Sequence, residues 1–287
     1  MNDTLPNRLD YLRSTQNADG GWGYFPGKQS WLEPTAYALM ALHSDAASQQ
    51  HFERGWKLMR SWQLPDGSWQ PCATVRQPHW TTALCITLHC LRGVHDDQLR
   101  RGVGWLLDTS GIENGLRYRV AHFISPSVVE LDPSFKAWPW LPGCSSWIEP
   151  TAHALVALKK VAKPLPSAAV SDRINMGEKM ILERRCSDGG WNYGNRKVLG
   201  TDLPSYPETT ALALLGLSGN RLLDLSAPLA LAQRHWRVTR SPLARAWLAV
   251  SLRSHALPLP SPIVRQTTSQ DTILSALDLI AANGVLA

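Results

Sequence analysis

Three copies of one apolar segment each begin with a glutamate in this sequence. The copies read SWLEPTAYALMAL at 30–42, SWIEPTAHALVAL at 146–158 and SYPETTALALLGL at 205–217. After the glutamate no copy contains Asp, Glu, Lys or Arg, so each predicts a helix that is buried on all sides. Such helices need a second layer of structure around them, since one repeat cannot bury its apolar surface alone.

A second repeated element marks the turns between helices. It reads QNADGGW at 16–22, QLPDGSW at 63–69 and RCSDGGW at 185–191. The Asp-Gly pair lets the chain leave a helix through a positive φ angle, and the tryptophan can pack back under that helix. Each copy follows an amphipathic pattern and precedes a more apolar one. The repeat unit is therefore predicted to be a hairpin of one outer and one inner helix.

The same alternation extends over most of the chain and predicts an all-α fold. Six segments fit the inner class: 34–42, 80–91, 150–158, 209–217, 242–252 and 271–282. Five segments fit the outer class: 4–15, 49–62, 97–108, 172–185 and 221–235. Such hairpins close most economically into a ring, so we expect one α/α toroid over 1–287, an α6/α6-like barrel of about 11 or 12 helices. An open solenoid of the same hairpins is the alternative.

A segment at 111–143 interrupts this alternation between an outer and an inner helix. Loops of this length in compact domains are more often lids or binding loops than spacers. The segment therefore offers candidates for covering one end of the barrel: Phe123, Glu130, Asp132, Trp138 and Trp140. A strap across the surface is the alternative role for it.

The glycine and tryptophan spacing resembles the Gln-x3-Gly-x-Trp repeat of squalene-hopene and oxidosqualene cyclases. These belong to the α/α-toroid superfamily that also includes the protein prenyltransferases. Two copies match in full and the third has arginine in place of glutamine; the residues are Gln16, Gly20 and Trp22, then Gln63, Gly67 and Trp69, then Arg185, Gly189 and Trp191. In that family the glutamine and tryptophan stack between repeats and stiffen the toroid, so the resemblance implies a structural role for them.

The resemblance also implies an acid at the start of an inner helix. In those cyclases the proton-donating aspartate stands within Asp-x-Asp-Asp-Thr-Ala or Asp-Cys-Thr-Ala. Setting the Thr-Ala pairs together places Glu33, Glu149 and Glu208 at that position. The complete Asp-x-Asp-Asp motif is absent, because Trp147 and Pro150 stand beside Glu149, and Trp31 and Pro34 stand beside Glu33. The implied activity is a terpene cyclase-like isomerase or lyase reaction, started by a carboxyl group.

Protonation of an alkene needs a neutral acid in a dry cavity, with aromatic faces that stabilise the resulting cation. If the inner helices run parallel, their starts meet at one end of the barrel, and the glutamates gather there. We take Glu149 and Glu208 ahead of Glu33 as candidate catalytic residues. The candidates for substrate binding are aromatic: Trp31, Trp80, Trp138, Trp140, Trp147 and Tyr206. Capping of the helix dipole is the alternative role for the glutamates.

The expected ligand is an isoprenoid small molecule, with no cofactor and no metal. The zinc site of the prenyltransferases needs an Asp-x-Cys pair, and Glu-x-Thr stands at all three positions here. Five cysteines without CxxC spacing predict free thiols. A non-catalytic toroid that binds an isoprenoid or a partner protein is the alternative function.

Composition and charge give further expectations about location and partners. The net charge is +6, but Lys and Arg are scattered, so nucleic acid is not an expected partner. The first residues lack the pattern of a signal peptide, and no apolar run approaches the roughly 18 to 20 residues of a membrane span. We expect a cytoplasmic protein. Peripheral contact with a membrane, and the choice between monomer and homodimer, are left open.

Overall fold

The structure, a computed structural model, describes residues 5–116, 118, 120, 132, 134–259 and 270–286. Apolar and amphipathic helices alternate along this part of the chain. The inner helices are α2 (Leu32–Leu42), α4 (Thr82–Arg92), α6 (Ile148–Val161), α8 (Pro207–Leu217), α10 (Pro242–Ser254) and α11 (Thr272–Asn283). The outer helices are α1 (Leu5–Ser14), α3 (Gln49–Ser61), α5 (Asp97–Asp108), α7 (Ala168–Glu183) and α9 (Ser226–Val238).

The inner helices form a closed ring. Each packs against the next in the order α2, α4, α6, α8, α10 and α11, and α11 packs back against α2. Closure lets every inner helix bury both flanks, which accounts for the predominantly apolar composition of these segments. The predicted α/α toroid is confirmed, and the open solenoid is excluded.

The outer helices cover the ring from outside. α3 packs on α2, α5 on α4, α7 on α6 and α9 on α10, while α1 packs chiefly on α11. The amphipathic pattern of α3 follows from this position, since Phe52, Trp56 and Met59 face the ring and are buried. Residues 260–269, between α10 and α11, lie outside the described part.

Two outer helices begin at positions that differ from the prediction. α7 starts at Ala168 instead of residue 172, because the Ser167 hydroxyl caps it by accepting the Val170 N–H at 3.2 Å. α9 starts at Ser226 instead of residue 221, because Asn220 and Asp224 hold the preceding segment in turns through the N–H groups two residues on. Short polar side chains at turns compete with helix formation in this way.

The repeat tryptophans tie each hairpin together. The indole N–H of Trp22 donates to Leu12 O at 2.8 Å, and that of Trp69 donates to Met59 O at 2.9 Å. Each acceptor lies on the outer helix that precedes the turn. The backbone N–H of each tryptophan donates at 2.9 Å to a threonine hydroxyl at the start of the next inner helix. Trp191 makes the same pair of bonds, to Ile181 O at 2.5 Å and to Thr210 Oγ1 at 3.0 Å.

Trp138 is a fourth member of this class, which corrects the prediction that it covers the end of the barrel. Its indole N–H donates to Leu106 O at 2.7 Å, and its backbone N–H donates to Thr151 Oγ1 at 3.2 Å. The ring is 2% exposed and lies under the Arg173 guanidinium, at 4.0 Å from the ring centre. Trp138 therefore belongs to the wall of the toroid.

The glutamines of the repeat join successive outer helices. The Gln16 amide donates to Gly20 O and to His51 O of α3, both at 2.8 Å. The Gln63 amide reaches Gln98 O of α5 in the same way, at 2.8 Å. Gly20 adopts φ +96°, and a side chain there would lie 2.8 Å from the Arg54 carbonyl oxygen. The Asp-Gly turn thus gives both the positive φ and the close approach that this junction requires.

Candidate functional site

The inner helices begin at one end of the toroid, which we call the mouth. Each outer helix returns the chain to this end, so the inner helices share one direction. Glu33, Glu149 and Glu208 stand in the first turns of α2, α6 and α8, and Asp271 stands immediately before α11. The charges of Glu33 and Glu208 both act on Glu149, and the charge of Asp271 acts on Glu33. The structure therefore brings the three predicted glutamates together and adds a fourth acid, Asp271.

Glu149 is the most perturbed of these carboxyl groups. Its side chain is half-buried, and its pKa is raised from an ordinary value of 4.5 to about 8. Burial is the largest cause, followed by repulsion from Glu33 and then from Glu208. Within the described residues no group donates a hydrogen bond to this carboxyl, so nothing there offsets the cost of charging it. Glu149 therefore keeps its proton to a higher pH than an ordinary glutamate.

Glu33 has the same position on its helix but a different environment. Burial raises the pKa of Glu33, a hydrogen bond from Tyr24 lowers it, and the charge of Asp271 raises it. The Tyr24 hydroxyl donates to Glu33 Oε2 at 2.6 Å. Burial and the Glu33 charge in turn raise the pKa of Tyr24, which keeps its proton available for that bond. This hydrogen bond stabilises the charged form of Glu33 in a way that Glu149 lacks.

Three of the predicted aromatic residues stand at the mouth, each directly before an inner helix. Trp31 and Trp147 are half-buried, and Tyr206 is 42% exposed. The Trp31 ring lies 6.0 Å from Tyr24, and the Tyr206 ring lies 5.4 Å from Tyr193. The charges of Glu208 and Glu149 both raise the pKa of Tyr193, after burial. Aromatic side chains therefore stand at the same end of the toroid as the carboxyl groups.

Below the carboxyl groups the centre of the ring is filled by Tyr37, His153 and Trp247, which we call the central plug. These residues come from alternate inner helices, α2, α6 and α10, and are at most 4% exposed. The Tyr37 hydroxyl lies 3.1 Å from His153 Nε2, and the Trp247 ring lies 5.6 Å from Tyr37. Tyr37 and His153 each follow a mouth glutamate by four positions, about one helical turn deeper in the ring.

The central plug changes the expected role of Trp80. Its ring is 5% exposed and lies 5.1 Å from His153, so it covers the plug instead of lining an open cavity. Trp140 is half-buried and packs edge-on against Trp80, with ring centres 5.2 Å apart. Of the other candidates for covering the end of the barrel, Asp132 is exposed, and Phe123 and Glu130 lie outside the described residues.

Sequence reasoning missed the plug although a signal for it existed. Tyr37 and His153 stand two residues after the threonine of their Thr-Ala pairs, and Trp247 stands two residues after Arg245, which takes the same place in α10. Repetition of a large side chain at one position of three inner helices predicts contact at the ring axis. The burial of His153 lowers its pKa to about 3, so the imidazole is neutral.

None of the helices in the described part of the chain combines the length and apolarity needed to cross a membrane.

Comparison with known proteins relates the chain to terpene cyclases at two levels. No model of a known protein family matches the sequence. The drimenyl diphosphate synthase of Streptantibioticus cattleyicolor is 42% identical over 60 residues. That match covers 21% of this chain and 11% of the synthase, so the chain matches only a small part of that protein's length.

Solved structures match over nearly the whole chain. A variant of the type II terpene cyclase MstE from Scytonema, in complex with merosterolic acid A (product), aligns with 97% of this chain and 97% of its own, at 15% identity and a TM-score of 0.57. A GH8 endo-beta-1,4-glucanase from an Achatina fulica gut metagenomic library covers 98% of both chains at 14% identity, with a TM-score of 0.61. The fold alone therefore accommodates two kinds of chemistry. The chain has the α/α-toroid fold of the type II terpene cyclases.

Proposed function

We propose that this protein is a terpene cyclase-like enzyme that acts on an isoprenoid, with Glu149 as the general acid. The observation that carries the proposal is the gathering of Glu33, Glu149 and Glu208 at one mouth beside aromatic faces. A toroid used only as a scaffold has no need for a neutral carboxyl group there. A variant of MstE was solved with its substrate geranylgeranyl dihydroxybenzoate, a prenylated molecule, which supports an isoprenoid as the substrate class.

The proposed reaction starts with transfer of the Glu149 proton to a double bond of the substrate. The electron pair of that bond forms the new C–H bond, and the positive charge left on the neighbouring carbon is attacked by the next double bond. Trp31 and Trp147, which directly precede two of the glutamate-bearing helices, would stabilise the cation through their ring faces. The last cation loses a proton to a base, which restores the balance of charge. The Glu149 carboxylate formed in the first step is available as that base.

Glu208 and Glu33 support this step by their charges. Both disfavour ionisation of Glu149 in the resting protein, so the proton is present when a substrate arrives. The same charges favour the carbocation once it forms, since a cation beside carboxylates is stabilised electrostatically. Burial of the mouth by a bound apolar chain strengthens both effects by excluding water.

The proposal is tested by incubating the purified protein with squalene, geranylgeranyl diphosphate and shorter prenyl diphosphates, followed by mass spectrometry of the products. We expect a cyclised product from at least one substrate, and a loss of at least about a hundredfold in rate for Glu149→Gln. Glu53→Gln, at a half-exposed glutamate of α3, is the matched control and should leave the rate unchanged. Unchanged substrates in every reaction would contradict the proposal.

A non-catalytic toroid that binds an isoprenoid is the second candidate, and two observations favour it. The central plug leaves little depth below the carboxyl groups, and Glu149 lacks a hydrogen bond from the described residues that would strengthen it as an acid. Binding of a prenyl alcohol without turnover, measured by quenching of tryptophan fluorescence, is the result expected of that function. Equal affinity in the wild-type protein and in Glu149→Gln, without turnover in either, would distinguish the non-catalytic function from the enzymatic one.

A further inference from the structure

A second concave site lies at the far end of the toroid, where the inner helices end. It has a cavity volume of about 670 Å³, which is within the usual range of small-molecule sites. Its walls come from the ends of α6, α8 and α10, from one face of α7, and from Leu286 after α11. Neither the mouth carboxyl groups nor the aromatic residues beside them contribute to it.

A network of ion-paired and hydrogen-bonded groups forms the floor of this cavity. Lys159 Nζ donates to the carbonyl oxygens of Gly216 and Ser218, both at 2.7 Å, and lies 2.7 Å from Glu178 Oε1. The Asn220 amide donates to Glu178 Oε2 at 2.6 Å. Lys159 therefore caps the end of α8, and its charge is matched by Glu178. This pair is a structural element and is not available to a ligand.

The remaining charges in the cavity wall are all positive. Lys160, Lys163 and Arg221 line it, and Glu178 is the one acidic residue among the lining residues. Because Lys159 already neutralises Glu178, the wall as a whole carries a net positive charge. Burial lowers the pKa of Lys160, and the charge of Lys163 lowers it further. An anion placed between these cations would relieve their mutual repulsion.

Apolar side chains form the other wall. Val156 and Leu286 are buried at its base, and Ile174 is half-buried on the face of α7. A bare inorganic ion would leave this surface in contact with water. A ligand with a short hydrocarbon tail covers it and gains the free energy of burying apolar area.

We propose that this far-end cavity is a binding site for a small amphiphile with a phosphate or diphosphate head group and a short apolar tail. The head group lies between Lys163 and Arg221, since phosphate oxygens accept charge-assisted hydrogen bonds from ammonium and guanidinium groups. The tail lies along Ile174 and Val156. The site is separate from the mouth and does not depend on the proposed reaction.

Binding is tested by isothermal titration calorimetry with inorganic pyrophosphate, hexyl phosphate and hexanol. We expect hexyl phosphate to bind, pyrophosphate to bind more weakly, and hexanol to give no measurable heat. Lys163→Gln and Arg221→Gln should each raise the Kd of hexyl phosphate about tenfold, the usual effect of removing one charged partner. Ile174→Ala should weaken hexyl phosphate but leave pyrophosphate unchanged.

Two control variants separate binding in this cavity from binding at the mouth or through surface charge. Lys179→Gln removes a cation of α7 that does not line the cavity, and Glu149→Gln alters the mouth; both should bind hexyl phosphate like the wild-type protein. Sedimentation with phosphatidic acid vesicles distinguishes a lipid surface from a free ligand. Binding to vesicles alone, absence of phosphate binding, or equal affinity in Lys163→Gln and Arg221→Gln would each overturn the proposal.

Discussion

Glu149 and Glu33 occupy equivalent positions in two inner helices but differ in the groups that surround their carboxyls. Both glutamates open an inner helix, and burial raises the pKa of each. Tyr24 donates to Glu33 and thereby supports its charged form, whereas Glu149 sits between the charges of Glu33 and Glu208. Burial therefore raises the pKa of both carboxyl groups, and a hydrogen bond opposes that rise at Glu33 only.

The raised pKa of Glu149 predicts a pH-dependent stability. The folded protein keeps this proton up to about pH 8, while an unfolded chain releases it near 4.5. The associated stability is complete below pH 4.5 and is lost as the pH rises through about 8. In thermal melts, Glu149→Gln should therefore raise Tm relative to the wild-type protein more at pH 8.5 than at pH 5. Glu53→Gln should show no such dependence, and an equal Tm difference at both pH values would contradict the assignment.

At the scale of the elements, the threonine of each Thr-Ala pair belongs to the hairpin and not to the chemistry. Thr35, Thr82, Thr151 and Thr210 accept the backbone N–H of the repeat tryptophan at 2.9 to 3.2 Å. Part of the recurring segment is therefore explained by joining an inner helix to the turn before it. The glutamate two residues earlier has no part in this junction, so its recurrence needs another reason.

Thr151→Val tests this role of the threonine. Valine has a similar shape but accepts no hydrogen bond, so the buried Trp138 N–H loses its partner. We expect a loss of about 1 to 3 kcal/mol in the free energy of unfolding, measured by urea denaturation. Thr201→Val, at an exposed position of the hairpin formed by β1 (Lys197–Val198) and β2 (Thr201–Asp202), should change it by less than about 0.5 kcal/mol. A loss as small at Thr151 would contradict the role assigned to it.

The helical elements were predictable because the apolar, amphipathic and turn patterns of the sequence agreed with one another. Charge-free inner segments, amphipathic outer segments and Asp-Gly turns all indicated the same hairpin. The sequence did not identify Trp138 as a repeat tryptophan, because the segment before it lacks Asp-Gly and reads Phe135-Lys136-Ala137. The turn at Trp138 is instead held by Arg173, whose guanidinium donates to Lys136 O and to Thr109 O. Different residues thus build the same junction, and only the geometry reveals their equivalence.

At the scale of the whole molecule, ring closure decides what the repeats can do. An open array would leave the helix starts along a line, whereas the closed ring of α2 to α11 brings them to one mouth. Contacts between the first and last helices support this closure: Arg8 of α1 pairs with Asp278 of α11 at 3.1 Å and donates to Ser275 at 3.1 Å. The sequence predicted the gathering of the glutamates from this topology.

The depth of the mouth was not predictable in the same way. It depends on which side chains meet across the ring axis, and Tyr37, His153 and Trp247 come from helices more than 90 residues apart in the chain. Each reads as one large residue in an apolar helix, which is ordinary core composition. Their repeated position indicates contact near the ring axis, but the distances between their rings are needed to show that the space below the carboxyl groups is filled.

Carbon-13 NMR of glutamate side-chain carboxyls, followed over a pH titration, measures most directly whether the mouth glutamates act as one group. We expect Glu149, assigned from Glu149→Gln, to titrate near pH 8 in the wild-type protein. Its pKa should fall in both Glu33→Gln and Glu208→Gln, because each removes a neighbouring negative charge. A Glu149 pKa near 4.5 that neither substitution moves would show that the carboxyl groups do not share one mouth.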